Sequence, residues 1–370
     1  MRTESLSKKP ANESSRIPSI DLLKCIAIIF VVIYHTRLFS IDFIAQESFV
    51  NYFHYYFMTI LSTCVPLFFF ANGYLLFSKP FDYKKHIKRT VRLTALVFIW
   101  AFIQMPIYLA ISKEAISFEK IVNAVLSLSG EWRMHYFWFL GALVSMYVLF
   151  PVLKIAYDNH KKSFLFFLFI CTFFTFGFKF INEVLNVGSV LLKHSLGSMN
   201  QAVFTIFNPF RSPYSYAFVY FCGGGLVYDY SDKIQSLPQQ KRIAGSIIGI
   251  VLSCSLLFLF GRLYSKIAAD AIWDVVWQGY DSVYTLVNVF CIFLLCCKYK
   301  GNKIVRFISE NTLGIYLVHG LLIHSTVSYL LQFDYLCNLP VSLLYAGLIL
   351  CASLAIVTVI KKIPYIKNLV

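Results

Sequence analysis

Charge is what this sequence has least of. Only 14% of its 370 residues are charged, 58% are hydrophobic, and the mean hydropathy is +0.68. Soluble globular domains carry about 25% charged residues, so this composition cannot supply a water-facing surface, and a soluble enzyme or binding module is excluded. Paired cysteine motifs are missing as well. None of the ten Cys forms a C-x-x-C, Cys296 and Cys297 are adjacent, and most of the others (Cys25, Cys64, Cys171, Cys222, Cys254, Cys291, Cys351) stand in apolar runs. That pattern argues against a zinc site or disulfide framework and for small packing residues. No coiled coil, low-complexity tract or soluble domain is visible. A cleavable signal is not expected either, because polar residues 1–16 lead into a full-length apolar run with no small-residue cleavage site.

What is present is a series of apolar runs. A membrane span needs about 20 mostly apolar residues. Ten segments meet or approach that length: 18–40, 53–77, 91–111, 134–153, 163–181, 214–230, 243–261, 282–298, 312–331 and 341–360. The sixth is short and interrupted by Gly223-Gly224-Gly225, and the eighth is also short. With the N-terminus inside, 24 of the 33 Lys and Arg fall in cytoplasmic segments and 9 in outer ones, as the positive-inside bias requires. The expectation is an all-α polytopic membrane protein with about ten transmembrane helices and both termini cytoplasmic. A net charge of +15 would otherwise suit nucleic acid. Distributed this way, it suits anionic lipid headgroups instead, so membrane lipid is the expected partner and nucleic acid is not. One long outer loop, 182–213, carries short amphipathic stretches (Val184, Leu185, Val187; Val203, Phe204, Ile206, Phe207) suited to covering an outward-facing cavity.

Ionisable residues inside spans are costly and mark function by default. The first span holds Asp21, Lys24 and His35. Eleven residues separate Lys24 from His35, which puts both on one helix face about 16 Å apart along the axis. Asp21 can pair with Lys24 at i, i+3. The bland readings are a structural hydrogen-bonding His and a snorkelling Lys. Arg89 and Arg92 share a face at the cytoplasmic start of the third span, where two guanidiniums can grip one polyanion or simply serve the positive-inside bias. Asn72-Gly73-Tyr74 is expected to break the second span near its inner end. His319 follows Gly314-Ile315-Tyr316 in the ninth span, with His324 about 140° further round the helix. Glu131, Trp132, Arg133, His135, Tyr136 and Trp138 form a belt at the outer mouth of the fourth, either an interfacial anchor or a platform for sugar rings.

Four stretches carry a resemblance: Ile20-Asp-Leu-Leu-Lys-Cys-Ile-Ala-Ile-Ile-Phe-Val-Val-Ile-Tyr-His35, Val65-Pro-Leu-Phe-Phe-Phe-Ala-Asn-Gly-Tyr-Leu-Leu-Phe77, Trp138-Phe-Leu with Tyr147 and Pro151, and Asn311-Thr-Leu-Gly-Ile-Tyr-Leu-Val-His319. In order and spread they resemble the acyltransferase-3 family of membrane acyltransferases, and most closely its enterobacterial common antigen O-acetyltransferase branch. The resemblance implies transfer of an acyl group, usually acetyl, from cytoplasmic acyl-CoA to a hydroxyl of a surface glycan or its lipid-linked precursor, in the bacterial inner membrane. It implies a transmembrane domain over 18–360 between a cytoplasmic N-terminal segment, 1–17, and a cytoplasmic tail, 361–370. The family's first-helix motif, Arg then ten residues then His, appears here with Lys24 in the Arg place and His35 intact. The family's Arg-x-x-Arg is Arg89 and Arg92. Asn72 stands where the family usually has Ser.

From both lines of argument the catalytic candidates are His35 and Lys24, and the donor-binding candidates are Arg89, Arg92 and again Lys24. Asn72, Tyr74, Trp138, Tyr316 and His319 are candidate oxyanion or acceptor contacts. The resemblance implies acetyl-CoA as the donor substrate, and no metal is expected. His35 serves as general base or takes the acyl group covalently. The competing functions are a transporter or flippase for a lipid-linked glycan, and a regulatory membrane module without turnover. Paired broken helices and inverted repeats, common in transporters, are not seen in the sequence.

Overall fold

The structure, a computed structural model, describes residues 16–127, 132–191, 214–268 and 272–370. Among the described residues it is helical with no strand, and the chain is an all-α polytopic membrane protein. Among the described residues eight helical stretches are long and apolar enough to cross a membrane: Pro18–His35, Phe49–Phe77, Tyr83–Ile111, Met134–Asn159, Lys161–Leu185, Gln239–Lys266, Lys303–Leu330 and Leu339–Lys362. The expected sixth and eighth segments are the helices Ser215–Asp229 and Val283–Cys296, of 15 and 14 residues. At 1.5 Å per residue they fall short of a full hydrocarbon core of about 30 Å.

The helices are α1 Pro18–His35, α2 Phe49–Leu61, α3 Cys64–Phe77, α4 Tyr83–Ile111, α5 Phe118–Ser127, α6 Trp138–Asn159, α7 Lys161–Thr172 and α8 Phe178–Leu191, followed by α9 Ser215–Asp229, α10 Ser231–Ser236, α11 Gln239–Ala268, α12 Val283–Cys296, α13 Lys303–Leu330 and α14 Leu339–Lys362. A 3-10 turn, Trp132–Phe137, leads into α6. Helix α3 is buried along nearly its whole length, and α9 almost throughout its first eleven residues.

Three expectations are corrected here. Asn72-Gly73-Tyr74 does not break its helix, since α3 runs unbroken from Cys64 to Phe77. The break falls at Ser62 and Thr63, whose hydroxyls bond back to the carbonyls of Thr59 and Ile60 at 2.7 Å each and so compete with the helical ladder. Nor is the glycine run in α9 a weakness. A Cβ on Gly224 would lie 2.1 Å from the Phe70 carbonyl oxygen, and one on Gly73 would lie 1.7 Å from that of Phe221. Small residues let the α3 and α9 backbones touch, which is how helices associate where lipid removes the hydrophobic drive. Finally, the outer loop expected from 182 is helical through Leu191, because α8 continues past its apolar run. The rest of that loop, with Val203, Phe204, Ile206 and Phe207, lies outside the described residues, as do Glu131 and the side chains of Trp132, Arg133 and Val187.

Lys154 is buried and caps α3, donating to the Phe77 carbonyl at 3.0 Å while pairing with Asp158 at 3.0 Å. A cation here meets the negative end of the helix dipole. After α14 the chain folds back onto α4. Trp100 Nε1 donates to the Leu369 carbonyl at 2.6 Å, and Arg92 donates to that of Asn368 at 3.1 Å.

Candidate active site

Helix α1 places the site. Asp21 does not pair with Lys24. It bonds Arg16 at 2.5 Å and accepts from the Ser309 hydroxyl at 2.6 Å, while Lys24 Nζ donates to the Ser309 carbonyl at 3.0 Å. Helix α13 thus takes both partners that local spacing had joined. Lys24 and His35 do share a face of α1, but they open into different cavities.

The first cavity, about 300 Å³, is cationic. Lys24, Arg89 and Arg92 line it together with Asn72, Tyr147, Thr312 and Tyr316, over an apolar floor of Phe68, Leu93, Leu96, Phe139, Leu143 and Leu313, and Val370 closes one side. No Asp or Glu side chain lines it, so its side chains suit a polyanion. The Asn72 amide is partly committed: Nδ2 donates to the Phe68 carbonyl at 2.8 Å and Oδ1 accepts from Tyr147 at 3.0 Å. One amide N–H remains. Behind it, buried His86 bonds the Tyr147 carbonyl through Nε2 at 2.7 Å. Tyr74 lines neither cavity, and its ring packs on Tyr228 and Phe293 at 5.4 and 5.7 Å. Two residues along a helix are about 200° round it, so Asn72 and Tyr74 cannot face one space.

The second cavity, about 500 Å³, is aromatic. Tyr34, His35, Arg37, His135, Tyr136, Trp138, Trp277, Tyr280 and Tyr316 line it with Val31 and Val65. Trp138 and Trp277 meet edge to face at 5.0 Å, and His135 lies 5.4 Å from Trp277. His35 Nδ1 lies 2.8 Å from the Val31 carbonyl. A carbonyl only accepts, so Nδ1 carries the proton and Nε2 keeps its lone pair. That is the form a general base needs.

The cavities meet at Tyr316, which lines both. Its hydroxyl donates to the Tyr136 carbonyl, so its proton is committed. His319, one turn on, is buried with its ring 5.2 Å from that of His35. Its Nδ1 bonds the Tyr316 carbonyl at 2.6 Å, and no described group bonds Nε2. Neutral His319 therefore offers an acceptor, not the donor an oxyanion needs. Buried Gln104 locks this junction: Nε2 donates to the Leu317 carbonyl, and Oε1 accepts from Tyr136 at 2.6 Å. His324 points away to Ser112 at 3.3 Å.

A model of the acyltransferase-3 family, described as an acyltransferase domain, matches residues 17–361. The chain belongs to the acyltransferase-3 family. No curated protein and no solved structure matches it. In this membrane acyltransferase the matched stretch contains every lining residue of both cavities except Val370. Among the described residues no three His, Cys, Asp or Glu side chains converge as a metal-binding group. The sequence reading missed Gln104, Tyr34, His86, Trp277 and Tyr280. Gln104 carried a signal, as an amide in the middle of an apolar span, where unpaired polarity is costly. Trp277 and Tyr280 carried none, because they lie outside any helical period.

Proposed function

We propose that this acyltransferase moves an acetyl group from cytoplasmic acetyl-CoA to a hydroxyl of a surface glycan or its lipid-linked precursor, across the bacterial inner membrane. The observation that supports this reading most is the pair of cavities meeting at Tyr316, one cationic and one aromatic with a poised imidazole. In this reading the domain over 18–360 lies between cytoplasmic segments 1–17 and 361–370. The cationic cavity faces the cytoplasm, where Arg89, Arg92 and Lys24 hold the phosphates of the donor. Arginine forks suit phosphate, and Lys24 supplies a point charge.

The aromatic cavity receives the glycan, whose ring faces stack on Trp138 and Trp277. The acceptor hydroxyl gives its proton to His35 Nε2 as its oxygen attacks the thioester carbonyl. Asn72 is the candidate with an N–H left for the developing oxyanion. Collapse of that intermediate breaks the carbon–sulfur bond, and the imidazolium returns its proton to the departing thiolate. The apolar surroundings limit loss of the thioester to water.

The test is the surface glycan of cells lacking the chain. Loss of ester-linked acetyl with display of the glycan intact is expected. Intact acetylation with lost display would overturn the reading in favour of a flippase.

A further inference from the structure

The segment 272–282, between α11 and α12, is not helical, yet its backbone is tied down along its length. Trp273 N donates to Ser265 Oγ at 2.9 Å, and its carbonyl accepts from Tyr55 at 2.9 Å. Gln278 N bonds the Asp274 carbonyl at 2.9 Å, and the Tyr280 carbonyl accepts from Tyr220 at 2.9 Å. A Cβ on Gly279 would lie 2.1 Å from the Val275 carbonyl oxygen, so the turn closes only with glycine. Near its start stands Asp274. Oδ1 accepts from the N–H of Val276 at 3.0 Å and of Trp277 at 3.1 Å. Oδ2 accepts from the Tyr34 hydroxyl at 2.8 Å, 240 positions away in sequence. The Tyr34 ring stands 5.1 Å from that of His35. One carboxylate thus joins the wall carrying Trp277 and Tyr280 to the turn of α1 carrying His35.

We infer that Asp274 is the positioning acid of this site: through Tyr34 it holds the last turn of α1 against the acceptor wall, and its charge stabilises the imidazolium that His35 becomes during transfer. The inference rests on the reading of His35 as general base. Proton transfer to Nε2 creates a cation in a cavity whose lining contains no acid. The groups facing it are Tyr34 from α1 and Arg37 just beyond its end, His135 and Tyr136 from the 3-10 turn, Tyr316 and His319 from α13, and Trp277 and Tyr280 from the 272–282 segment. Arg37 opposes a second positive charge there, and neither neighbouring imidazole brings a negative one. Of the two carboxylates in the 272–282 segment, Asp281 is paired with Lys179, and Asp274 is the one bonded to both the backbone of this wall and Tyr34. An acid behind a catalytic imidazole steadies the charged ring without taking its proton.

The experiment uses the full chain in proteoliposomes, with [14C]acetyl-CoA and a lipid-linked glycan extract, and follows transfer against pH. Asp274→Asn keeps an acceptor for both backbone N–H groups, removes the charge, and puts an amide donor where Oδ2 accepted from Tyr34. It is expected to lower kcat by roughly 10- to 100-fold, leave the KM for acetyl-CoA unchanged, and move the acid limb of the kcat/KM profile to lower pH. The limb moves that way because loss of the anion makes the imidazolium easier to deprotonate. Tyr34→Phe shifts the limb in the same direction by less. A folded Asp274→Asn protein with the native rate and profile would overturn the inference. If Asp274→Asn fails to insert, Tyr34→Phe decides, and a native profile there overturns it. Native protein that transfers no label would overturn the reading of the reaction itself, and the inference with it.

Discussion

The two cavities that meet at Tyr316 are made from different chemistry. Three cations and an apolar floor line one, while imidazole, phenol and indole rings line the other. The cationic cavity takes its charges from α1 and α4, and one of them, Arg92, is already engaged by the carbonyl of Asn368. The aromatic cavity takes its wall from a non-helical segment that four helices hold in place through Ser265, Tyr55, Tyr220 and Tyr34. Charge recognises a polyanion at long range and with loose geometry. Stacked rings recognise a flat neutral face only at contact. The difference teaches where precision resides. The proposed donor side can afford exposed, adaptable arginines, whereas the proposed acceptor side needs a fixed wall beside a fixed base.

The comparison can be broken at its centre, on either side, or in the frame the sides share. His35→Ala should cost the most, a fall in transfer of about 10²- to 10⁴-fold with acetyl-CoA binding unchanged, checked by calorimetry beside the activity assay. Arg89→Ala with Arg92→Ala should weaken acetyl-CoA binding by roughly 10²- to 10⁴-fold, at about 1.5–3 kcal/mol for each charged hydrogen bond. The effect should shrink as salt rises, and glycan KM should hold. Gly224→Ala should destabilise the whole protein by about 1–3 kcal/mol, because the new Cβ would meet the Phe70 carbonyl at 2.1 Å. Its neighbour is the control: Gly223 has nothing within 4 Å of a Cβ, so Gly223→Ala should leave thermal unfolding in detergent unchanged or raised. Trp277→Ala should have the smallest effect. One lost aromatic face is worth about 1 kcal/mol, seen as a roughly 5-fold rise in glycan KM with donor binding intact.

Much of this was legible in the sequence. Helical period alone put Lys24 and His35 on one face, and the cost of intramembrane charge singled them out. What period cannot give is the partner from elsewhere. Asp21 and Lys24 obey the i, i+3 rule, yet Ser309 and Arg16 offered better geometry, and tertiary contact won. The α9 glycines read as an interruption because a single sequence does not say that another backbone lies against them. Tyr74 was chosen by type and depth, and helix phase excludes it from the cavity that Asn72 faces. His319 was assigned as a donor by residue type, whereas its hydrogen bond to the Tyr316 carbonyl fixes it as an acceptor at Nε2. The link from Tyr34 to Asp274 joins positions 240 apart and has no local signature at all.

The central proposal is that a donor from the cytoplasmic face and an acceptor from the opposite face meet at Tyr316. It is tested most directly by sidedness, in sealed inverted membrane vesicles with the lipid-linked glycan on the luminal side and [14C]acetyl-CoA added outside. The account predicts labelled luminal glycan while the vesicles stay sealed to acetyl-CoA, and loss of that label with Arg89→Ala and Arg92→Ala at limiting donor. Label appearing only when acetyl-CoA and glycan share one face would contradict it.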